Sequence, residues 1–373
     1  MRTTCSPVVV RFGRLGDTVL LQPLLHKLCL RYGQPCHLLA LGDWPLALFS
    51  AQPEVGHCIP LTTQYGPLWM RPGRWRATFE LSRLHDCPFY IAEPAFRART
   101  KLRPMLKLAG IVPEHCQFIE DLPACEDEHW LDWLARFSDT TPTAFRERWE
   151  SGSLEPCGAP ELRVSEAERA DGKRWLRARG LAQHPLVLLQ PANKRTMRWN
   201  GVRAAADDVK SWPAERWAAV ARAIRQQMPQ TRVLLCGSPA EAGYLRQLQA
   251  VVRVGTPDVE VAALPLRFLK ALLETAHSMI SVDTGPAHLA AALGCPLVVL
   301  FGGRSPRTWA PRSGRGSEVA VLGGLPDILR VDQIEVEQVV QAWRRLPLCG
   351  AAATAFVDGD IKVERSAFER GTS

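Results

Sequence analysis

The segment Ser281–Pro296 constrains the fold more than any other stretch of the sequence. A short apolar stretch leads through the letters DTGPAH into an alanine- and leucine-rich pattern, and a second apolar stretch, Leu297–Phe301, follows it. This order predicts a strand, a sharp turn, a helix, a turn and a strand. Gly285 lets the backbone approach a ligand closely, and Pro286 suits the first helical position, where no N–H is needed. The free N–H groups and the helix dipole therefore predict a phosphate site at this turn.

Three further polar residues lie beside that turn: Asp283, Thr284 and His288. In the simplest alternative, Asp283 only caps the helix at a tight turn. We favour a ligand site because Asp, Thr, Gly, Pro and His converge within six residues.

Strands alternate with helices along most of the 373 residues, which predicts two α/β units in series with parallel sheets. We place an N-terminal domain at residues 1–165, a C-terminal domain at 166–346 and a mobile tail at 347–373. The stretch Thr140–Pro160 lacks periodicity and is predicted to be a connector. The predicted strands are Val8–Phe12, Cys36–Leu41, Pro88–Ala92, Leu186–Gln190, Arg232–Cys236, Met279–Val282, Leu297–Phe301 and Val319–Leu322. The predicted helices are Leu15–Tyr32, Ser165–Arg179, Pro213–Met228, Pro265–Ala276, Gly285–Leu293 and Glu335–Arg345.

The composition excludes several classes of protein. No apolar run is long enough for a transmembrane helix, and charges interrupt any signal-like segment near the N-terminus. The eleven cysteines form no C-x-x-C pair, so we expect reduced thiols in a cytoplasmic protein rather than disulfides or a zinc site. The net charge of +8 fits nucleotide sugars or anionic lipids. Helix-turn-helix, zinc-finger and RNP patterns are missing, so we expect no nucleic-acid partner.

A second glycine-containing turn follows the first predicted strand. The loop holds Gly13, Arg14 and Gly16, and Asp17 begins the next helix. The spacing differs from G-x-G-x-x-G, so the loop gives little support for NAD binding. Asp17 is either a catalytic or ligand-facing carboxylate at the end of the sheet, or only a partner for the helix dipole.

Two residues of the second half lie at similar turns. Lys210 precedes the helix that starts at Pro213, where a lysine suits a phosphate; the alternative is an ordinary solvated lysine. Glu241 follows the predicted strand Arg232–Cys236, where it can accept hydrogen bonds from ribose hydroxyls or serve only as a dipole partner. The nearby Trp212 and Trp217 are predicted to be packing residues.

Together these blocks resemble glycosyltransferase family nine, the ADP-heptose:lipopolysaccharide heptosyltransferases. The resemblance runs from about Val8 to Leu346. It rests on D-T-G-P-x-H-x-A with its following G-x-P and L-F-G, on the L-G-D block, and on K-x-W-P-x-E-x-W.

The resemblance implies the GT-B architecture, in which two Rossmann-like domains face a central cleft, with the nucleotide sugar on the C-terminal domain and the acceptor on the N-terminal one. It further implies a general base at Asp17, a lysine that neutralises the diphosphate at Lys210, a ribose ligand at Glu241, and a donor-binding block of Asp283, Thr284, Gly285, Pro286 and His288.

The chain departs from the family between the first C-terminal strand and the K-x-W-P block, where residues 190–203 intervene. Ala205 and Ala206 fall where relatives have threonines that contact phosphate. Asn193, Lys194 or Thr196 is expected to replace them, which leaves the identity of the donor less certain than the reaction class.

The expected function is an inverting, metal-independent glycosyl transfer, with no cofactor, from ADP-heptose or another NDP-sugar to a lipopolysaccharide-core or related glycan. The D-x-D motif of many metal-dependent transferases is missing from the strand ends; Asp358-Gly359-Asp360 falls in the predicted tail. The alternatives are transfer of another sugar, transfer onto protein or capsule, a GT-B-shaped nucleotide-sugar epimerase, and a silent binding module.

The stretch Tyr65–Lys107 combines aromatic residues with many basic ones. One interpretation is a packed irregular region with a solvated basic helix. The other is an acceptor-side surface that contacts lipid or core-saccharide phosphates at the inner face of the cytoplasmic membrane. The acceptor-side candidates are Arg97, Arg99, Lys101 and Arg103.

Overall fold

The computed structural model describes residues 5–61, 63, 72–149, 158–193, 196–198 and 201–347. Its first domain is built on a parallel sheet with strand order β3-β2-β1-β4-β5. The strands are β1 (Val8–Arg11), β2 (Cys36–Leu41), β3 (Val55–Leu61), β4 (Phe89–Ile91) and β5 (Cys116–Phe118). The helices are α1 (Leu15–Val19), α2 (Gln22–Tyr32), α3 (Trp44–Phe49), α4 (Pro72–Ser82), α5 (Ala95–Arg97), α6 (Arg103–Leu108) and α7 (Trp130–Ser138); a π-helical turn, Ala98–Leu102, joins α5 to α6.

The second domain carries a six-stranded parallel sheet and a small antiparallel pair. Its strands are β6 (Leu186–Gln190), the antiparallel β7 (Met197–Arg198) and β8 (Gly201–Val202), β9 (Arg232–Gly237), β10 (Glu260–Ala263), β11 (Ser278–Val282), β12 (Leu297–Phe301) and β13 (Val319–Gly323). The large sheet has the order β10-β9-β6-β11-β12-β13. The helices are α8 (Glu166–Arg177), α9 (Ala214–Gln227), α10 (Ala242–Val252), α11 (Leu266–Thr275), α12 (Gly285–Ala292), α13 (Pro306–Trp309) and α14 (Val336–Arg345).

This topology confirms the α/β prediction and fixes where a ligand can bind. In each sheet the chain moves outward from the first strand and then returns to its other side, so the order reverses between β1 and β4 and between β6 and β11. Ligands of open α/β sheets bind beyond the carboxyl ends of the strands at such reversals. β6, β11 and β12 are buried along their whole length, which explains their continuous apolar sequences.

Each of the eight predicted strands is present, with ends that shift by at most one residue. The predicted helix Leu15–Tyr32 is instead two helices, α1 and α2. Pro23 lies in the first turn of α2, where its missing N–H is tolerated, whereas in a helix interior it breaks the hydrogen-bond pattern. Gly33 ends α2 in the left-handed conformation, with φ of 66°. The prediction omitted β3, β5, β7, β8 and β10, which are short or interrupted by Gly and Pro.

The change from one sheet to the other falls between Phe118 and Leu186, and α8 packs on α11 of the second domain. The domain boundary near residue 165 stays a prediction. Of the predicted connector, the described part contains only a short 3-10 turn, Thr143–Phe145. Residues 348–373, which include most of the predicted tail, lie outside the described residues. In the part of the chain that the structure describes, no helix is both long enough and apolar enough to span a membrane.

Candidate active site

A cleft of about 900 Å³ separates the two domains at the carboxyl ends of both sheets. The first domain contributes the loop after β1 and residues near the start of α3. The second contributes the turns after β6, β9, β11 and β12. The predicted site residues that line the cleft are Gly13, Arg14, Gly16, Asp17, Asn193, Lys210, Glu241, Asp283, Thr284, Gly285, Pro286 and His288. Positions far apart in the sequence thus meet at one surface.

Asp17 lies in the first turn of α1 and is partly buried. Its Oδ1 accepts a hydrogen bond from Arg11 Nη2 at 2.9 Å, and its Oδ2 accepts one from the backbone N–H of Arg14 at 2.8 Å. Burial raises the pKa of Asp17, but the Arg11 guanidinium and the Arg14 N–H outweigh burial, so the pKa lies below its ordinary value. The carboxylate therefore caps its helix and also lines the cleft, and its catalytic role stays a prediction.

Arg11 and Glu93 support Asp17 from behind, and neither was singled out from the sequence. Arg11 is buried and also donates to the carbonyl of Ala92 at 2.7 Å. Glu93 is fully buried; its Oε1 accepts from the backbone N–H of Phe12 and lies 3.9 Å from Arg11 Nε. Burial raises the pKa of Glu93 above its ordinary value. The signal available in the sequence was a charged residue at the end of β1 and another two residues after β4.

Lys210 forms an ion pair with Asp283; both residues belong to the second domain, across the cleft from Asp17. Its Nζ donates to the Asp283 carboxylate and, at 2.7 Å, to the backbone carbonyl of the same residue. Both side chains are mostly buried. An ammonium group has three N–H donors, so one of them remains for a ligand. Lys210 is therefore a fixed cation in the cleft rather than a solvated lysine.

The turn at the start of α12 has a free hydroxyl and a neutral imidazole. Thr284 is the N-cap residue of α12, and among the described residues its hydroxyl makes no hydrogen bond. Burial lowers the pKa of His288 to about 4, so its ring is neutral at pH 7. The Nδ1 atom of His288 is buried and has no partner in the described part of the chain. The Thr284 hydroxyl is therefore available to a ligand in the cleft, whereas the Nδ1 atom of His288 is buried away from it.

The glycines of this region also allow a close approach between the two domains; their predicted role at a ligand stays a prediction. A Cβ on Gly285 would lie 2.8 Å from Leu15 Cβ and 2.9 Å from the backbone nitrogen of Gly16. A Cβ on Gly16 would lie 2.9 Å from His288 Cδ2. The close neighbour of Gly285 is thus α1 of the first domain, and the glycines let α1 and α12 meet across the cleft.

The three residues proposed to replace the family's threonines have different positions. Asn193 lines the cleft and donates to Asp208 Oδ2 at 2.8 Å. Thr196 is buried outside the cleft lining, and its Oγ1 accepts from the backbone N–H of Asn193 at 2.9 Å, so it supports Asn193. Lys194 lies outside the described residues.

Glu241 also has a structural function. Its Oε2 accepts from the backbone N–H and the hydroxyl of Ser238 at 2.7 and 2.8 Å, which closes the turn after β9. Its Oε1 accepts no hydrogen bond among the described residues and is available to a ligand in the cleft. Trp212 and Trp217 are buried against each other at 5.0 Å between ring centroids, which confirms that they are packing residues.

The four acceptor-side candidates lie on α5, α6 and the turn between them, outside the cleft lining. Arg97 donates to the carbonyl of Phe12 at 3.1 Å and lies 3.7 Å from Glu93. Arg103 pairs with Glu120 at 2.6 Å, and Arg99 lies 3.9 Å from the same carboxylate. Lys101 is half-buried. Trp69 and Arg71 of the same stretch lie outside the described residues.

Further cleft residues were missed by the sequence analysis. Trp44 lies at one end of the cleft, near an apolar wall formed by Leu20, Leu41, Leu264, Leu266 and Leu269. Arg304, Ser305, Thr308 and Trp309 line the cleft beyond β12. The sequence signal for these residues was the pair Gly302 and Gly303, which follows the buried strand β12. Within the described ranges, no group of three or more His, Cys, Asp or Glu side chains is arranged to hold a metal ion.

Comparisons with known proteins agree with this geometry. Residues 156–325 match the model of glycosyltransferase family 9 (heptosyltransferase). Lipopolysaccharide heptosyltransferase 2 of Escherichia coli strain K12 is 23% identical over 344 residues, which cover 86% of this chain and 89% of the relative. The lipopolysaccharide core heptosyltransferase OpsX of Haemophilus influenzae is 31% identical over 117 residues, about a third of each chain.

Solved structures share the fold along nearly the whole chain. The structure of Escherichia coli ADP-heptose lipopolysaccharide heptosyltransferase II matches with a TM-score of 0.69 at 19% identity, over 91% of this chain and 97% of that one. The Escherichia coli heptosyltransferase WaaC with ADP matches with a TM-score of 0.62 at 15% identity, over 90% and 98% of the two chains. The GT-B fold is thereby confirmed. The sequence motifs, the matched domain and the cleft agree: residues 156–325 carry a glycosyltransferase family nine domain, and the chain as a whole resembles that family.

Proposed function

We propose that this glycosyltransferase moves heptose from ADP-heptose to a sugar of the lipopolysaccharide core, with inversion at the anomeric carbon and without a metal ion. One observation carries the proposal. A carboxylate of the first domain, Asp17, lies across one cleft from a turn of the second domain that suits a diphosphate, with Lys210, Thr284 and the N-terminus of α12.

Asp17 is the general base in this proposal. Its lowered pKa keeps the carboxylate ionised at neutral pH, and it can accept the proton of an acceptor hydroxyl. The hydroxyl oxygen then forms a bond to the anomeric carbon while the bond from that carbon to the diphosphate oxygen breaks. Direct attack on the face opposite the leaving group inverts the configuration.

Groups of the second domain stabilise the departing diphosphate. Three groups lie at the turn between β11 and α12: the third N–H of Lys210, the Thr284 hydroxyl and the positive end of the α12 dipole. They supply the positive potential that a metal ion supplies in other transferases. Pro286 contributes no N–H, so the side chains of this turn carry much of the recognition.

The choice of donor rests on the relatives and on the apolar end of the cleft. Two of the relatives that match along most of their length are heptosyltransferases, one of them solved with ADP. Trp44 and the leucines near it form a wall of the kind that a nucleobase binds, and the free Oε1 of Glu241 suits a ribose hydroxyl. Asn193, held by Asp208, adds an amide beside the phosphates.

A binding screen followed by a transfer assay tests the proposal. ADP-, GDP-, UDP- and dTDP-sugars are compared by thermal shift, where a ligand at 100 times its Kd stabilises by about 2.7 kcal/mol. We expect ADP-heptose to give the largest shift and labelled heptose to reach a core acceptor equally with and without EDTA. A strict requirement for Mg²⁺ or Mn²⁺ contradicts the metal-free mechanism. Isomerised sugar from donor alone identifies an epimerase instead.

The reaction is proposed to take place in the cytoplasm, with peripheral contact to the membrane that carries the acceptor. The described cysteines form no disulfide, in keeping with a reducing compartment. The surface proposed for the contact is the basic segment of α5 and α6 with Arg97, Arg99, Lys101 and Arg103.

A further inference from the structure

The cleft is polarised from one end to the other. Beyond β10 its lining is apolar, with Leu264 and Leu266, while Ser238 and Glu241 follow β9. Its β12 end carries three polar side chains, those of Arg304, Ser305 and Thr308, and none of the three makes a hydrogen bond or ion pair with another described residue. These donors are open to water and therefore also to a polar group of a bound ligand.

The charges in the cleft leave only two cations free. Of the three anionic side chains in the lining, Asp17 is neutralised by Arg11, Asp283 is neutralised by Lys210, and Glu241 caps its own turn. Of the basic residues in the lining, Lys210 is paired. Within the described part of the chain, the guanidinium groups of Arg14 and Arg304 are the two in the lining that have no carboxylate partner.

Arg304 is held above an aromatic column. Its guanidinium carbon lies 5.7 Å from the centre of the Trp309 ring. Trp309 stacks on Trp130 of the first domain, with 5.7 Å between centroids and 20° between planes. The guanidinium of Arg11 lies 4.7 Å from the Trp130 ring on the way to Asp17. The column therefore links Arg304 to the support of the general base.

Strand order separates Arg304 from the nucleotide. Glu241 follows β9, Lys210 and Asp283 meet beside β6 and β11, and Arg304 follows β12. Neighbouring strands are about 4.8 Å apart, so β12 lies roughly 14 Å from β9. A nucleoside near Glu241 and a diphosphate at the α12 turn leave the β12 end for the acceptor.

On the basis of the proposed function, we propose that Arg304, with Ser305 and Thr308, binds an acidic group of the acceptor, a phosphate or a carboxylate near the hydroxyl that is glycosylated. A guanidinium binds such groups through paired, charge-assisted hydrogen bonds, and its flat face stacks on Trp309. The subsite orients the acceptor so that its hydroxyl meets Asp17.

The kinetic test compares Arg304→Gln with Arg307→Gln. Arg307 is a matched control because it is three residues away, pairs with Asp127 and does not line the cleft. We expect R304Q to raise KM for a phosphorylated or carboxylated acceptor about 10- to 100-fold, the equivalent of one lost charge-assisted bond. KM for the donor and Kd for ADP stay within twofold, and Arg304→Lys recovers part of the loss. R307Q behaves as wild type.

Two outcomes overturn the proposal. If R304Q weakens ADP and donor as much as acceptor, the cation serves the donor diphosphate. If R304Q leaves the acceptor KM unchanged, the subsite does not exist.

A binding experiment keeps the inference separate from the proposed function. With the cleft saturated by ADP, inorganic phosphate is titrated at constant ionic strength while the melting temperature is followed. Wild type and R307Q should gain stability with phosphate, and R304Q should not; equal gains in all three contradict the subsite. Should wild type transfer no sugar from ADP-heptose, the proposed function fails, yet this titration still decides the binding role of Arg304.

Discussion

At the scale of single residues, Asp17 is the most direct test of mechanism. Asp17→Asn keeps the size of the side chain but removes the base, so we expect kcat to fall by about 10²–10⁴-fold. Donor affinity, measured by calorimetry, should stay near wild type because Asp17 belongs to the other domain. If the variant keeps the wild-type kcat, Asp17 serves only as a cap of α1 and not as the base.

The lowered pKa of Asp17 also predicts a pH dependence. Because the pKa is lower in the folded than in the unfolded state, ionised Asp17 stabilises the fold above its unfolded pKa, and this contribution is lost as the pH falls through the folded value. The acid limb of kcat/KM should therefore lie below the ordinary range of an aspartate.

Lys210 is the second residue with a separable role. Lys210→Ala should raise the donor KM and lower kcat, since the diphosphate is charged in the ground state and gains charge as it leaves. It also leaves the mostly buried Asp283 without its partner, so a melting curve must accompany the kinetics. Lys210→Arg should recover only part of the activity, because a guanidinium differs in shape from an ammonium. An unchanged donor KM in K210A contradicts the assignment.

At the scale of helices and turns, the contact between α1 and α12 is the critical one. Gly285→Ala places a Cβ less than 3 Å from Leu15 and Gly16, so the domains must shift apart at the site. We expect a loss of about 1–3 kcal/mol in stability from overpacking and at least tenfold slower transfer. Gly243→Ala is the control: it lies in α10 with open space around its Cβ and should stabilise by roughly 0.5–1 kcal/mol. Full activity in G285A means that the closed contact is not required.

The basic segment of α5 and α6 tests the proposed membrane contact. Arg97 is excluded from the test because it donates to the Phe12 carbonyl, next to the loop that leads to Asp17. Replacement of Arg99, Lys101 and Arg103 by Gln should weaken co-sedimentation with anionic vesicles, by up to about 1 kcal/mol per residue. The control replaces three exposed cations of the second domain, Arg179, Arg246 and Arg253. Equal loss in both variants indicates a general charge effect and no specific surface.

At the scale of the whole molecule, Lys270 and Arg312 of the second domain both contact the first domain, in very different surroundings. Lys270 is fully buried and contacts Glu168 at 2.9 Å and the carbonyl of Ala47 in the first domain at 3.0 Å. Arg312 pairs with Asp132 across the domains, but both are exposed. The burial of each group, rather than the number of bonds it makes, should decide how much it contributes to the free energy of unfolding.

We therefore expect Lys270→Met to destabilise the protein by about 3–5 kcal/mol, because Glu168 is left buried without its partner. Arg312→Gln should cost less than about 1 kcal/mol. Chemical denaturation of both variants measures the difference, and adding Glu168→Gln to K270M should restore part of the loss. Equal costs for K270M and R312Q contradict this argument.

What the sequence determined by itself is local. Four features depend on neighbours within a few positions, whose chemistry is read directly from the sequence: the strand–turn–helix blocks, the capping residues, Gly33 at the end of α2 and the family resemblance.

Only the tertiary structure decided which distant groups meet. Lys210 and Asp283 are 73 positions apart, and Arg11 and Glu93 are 82 apart, yet each pair is joined at the carboxyl end of a sheet. Pairing changes what these groups do, because Asp283 fixes Lys210 as a cation and Arg11 keeps Asp17 ionised. Among the described residues, Arg304 has no carboxylate partner. The reason is physical, since parallel sheets bring remote strand ends together, and burial with electrostatics then sets the charge of each group there.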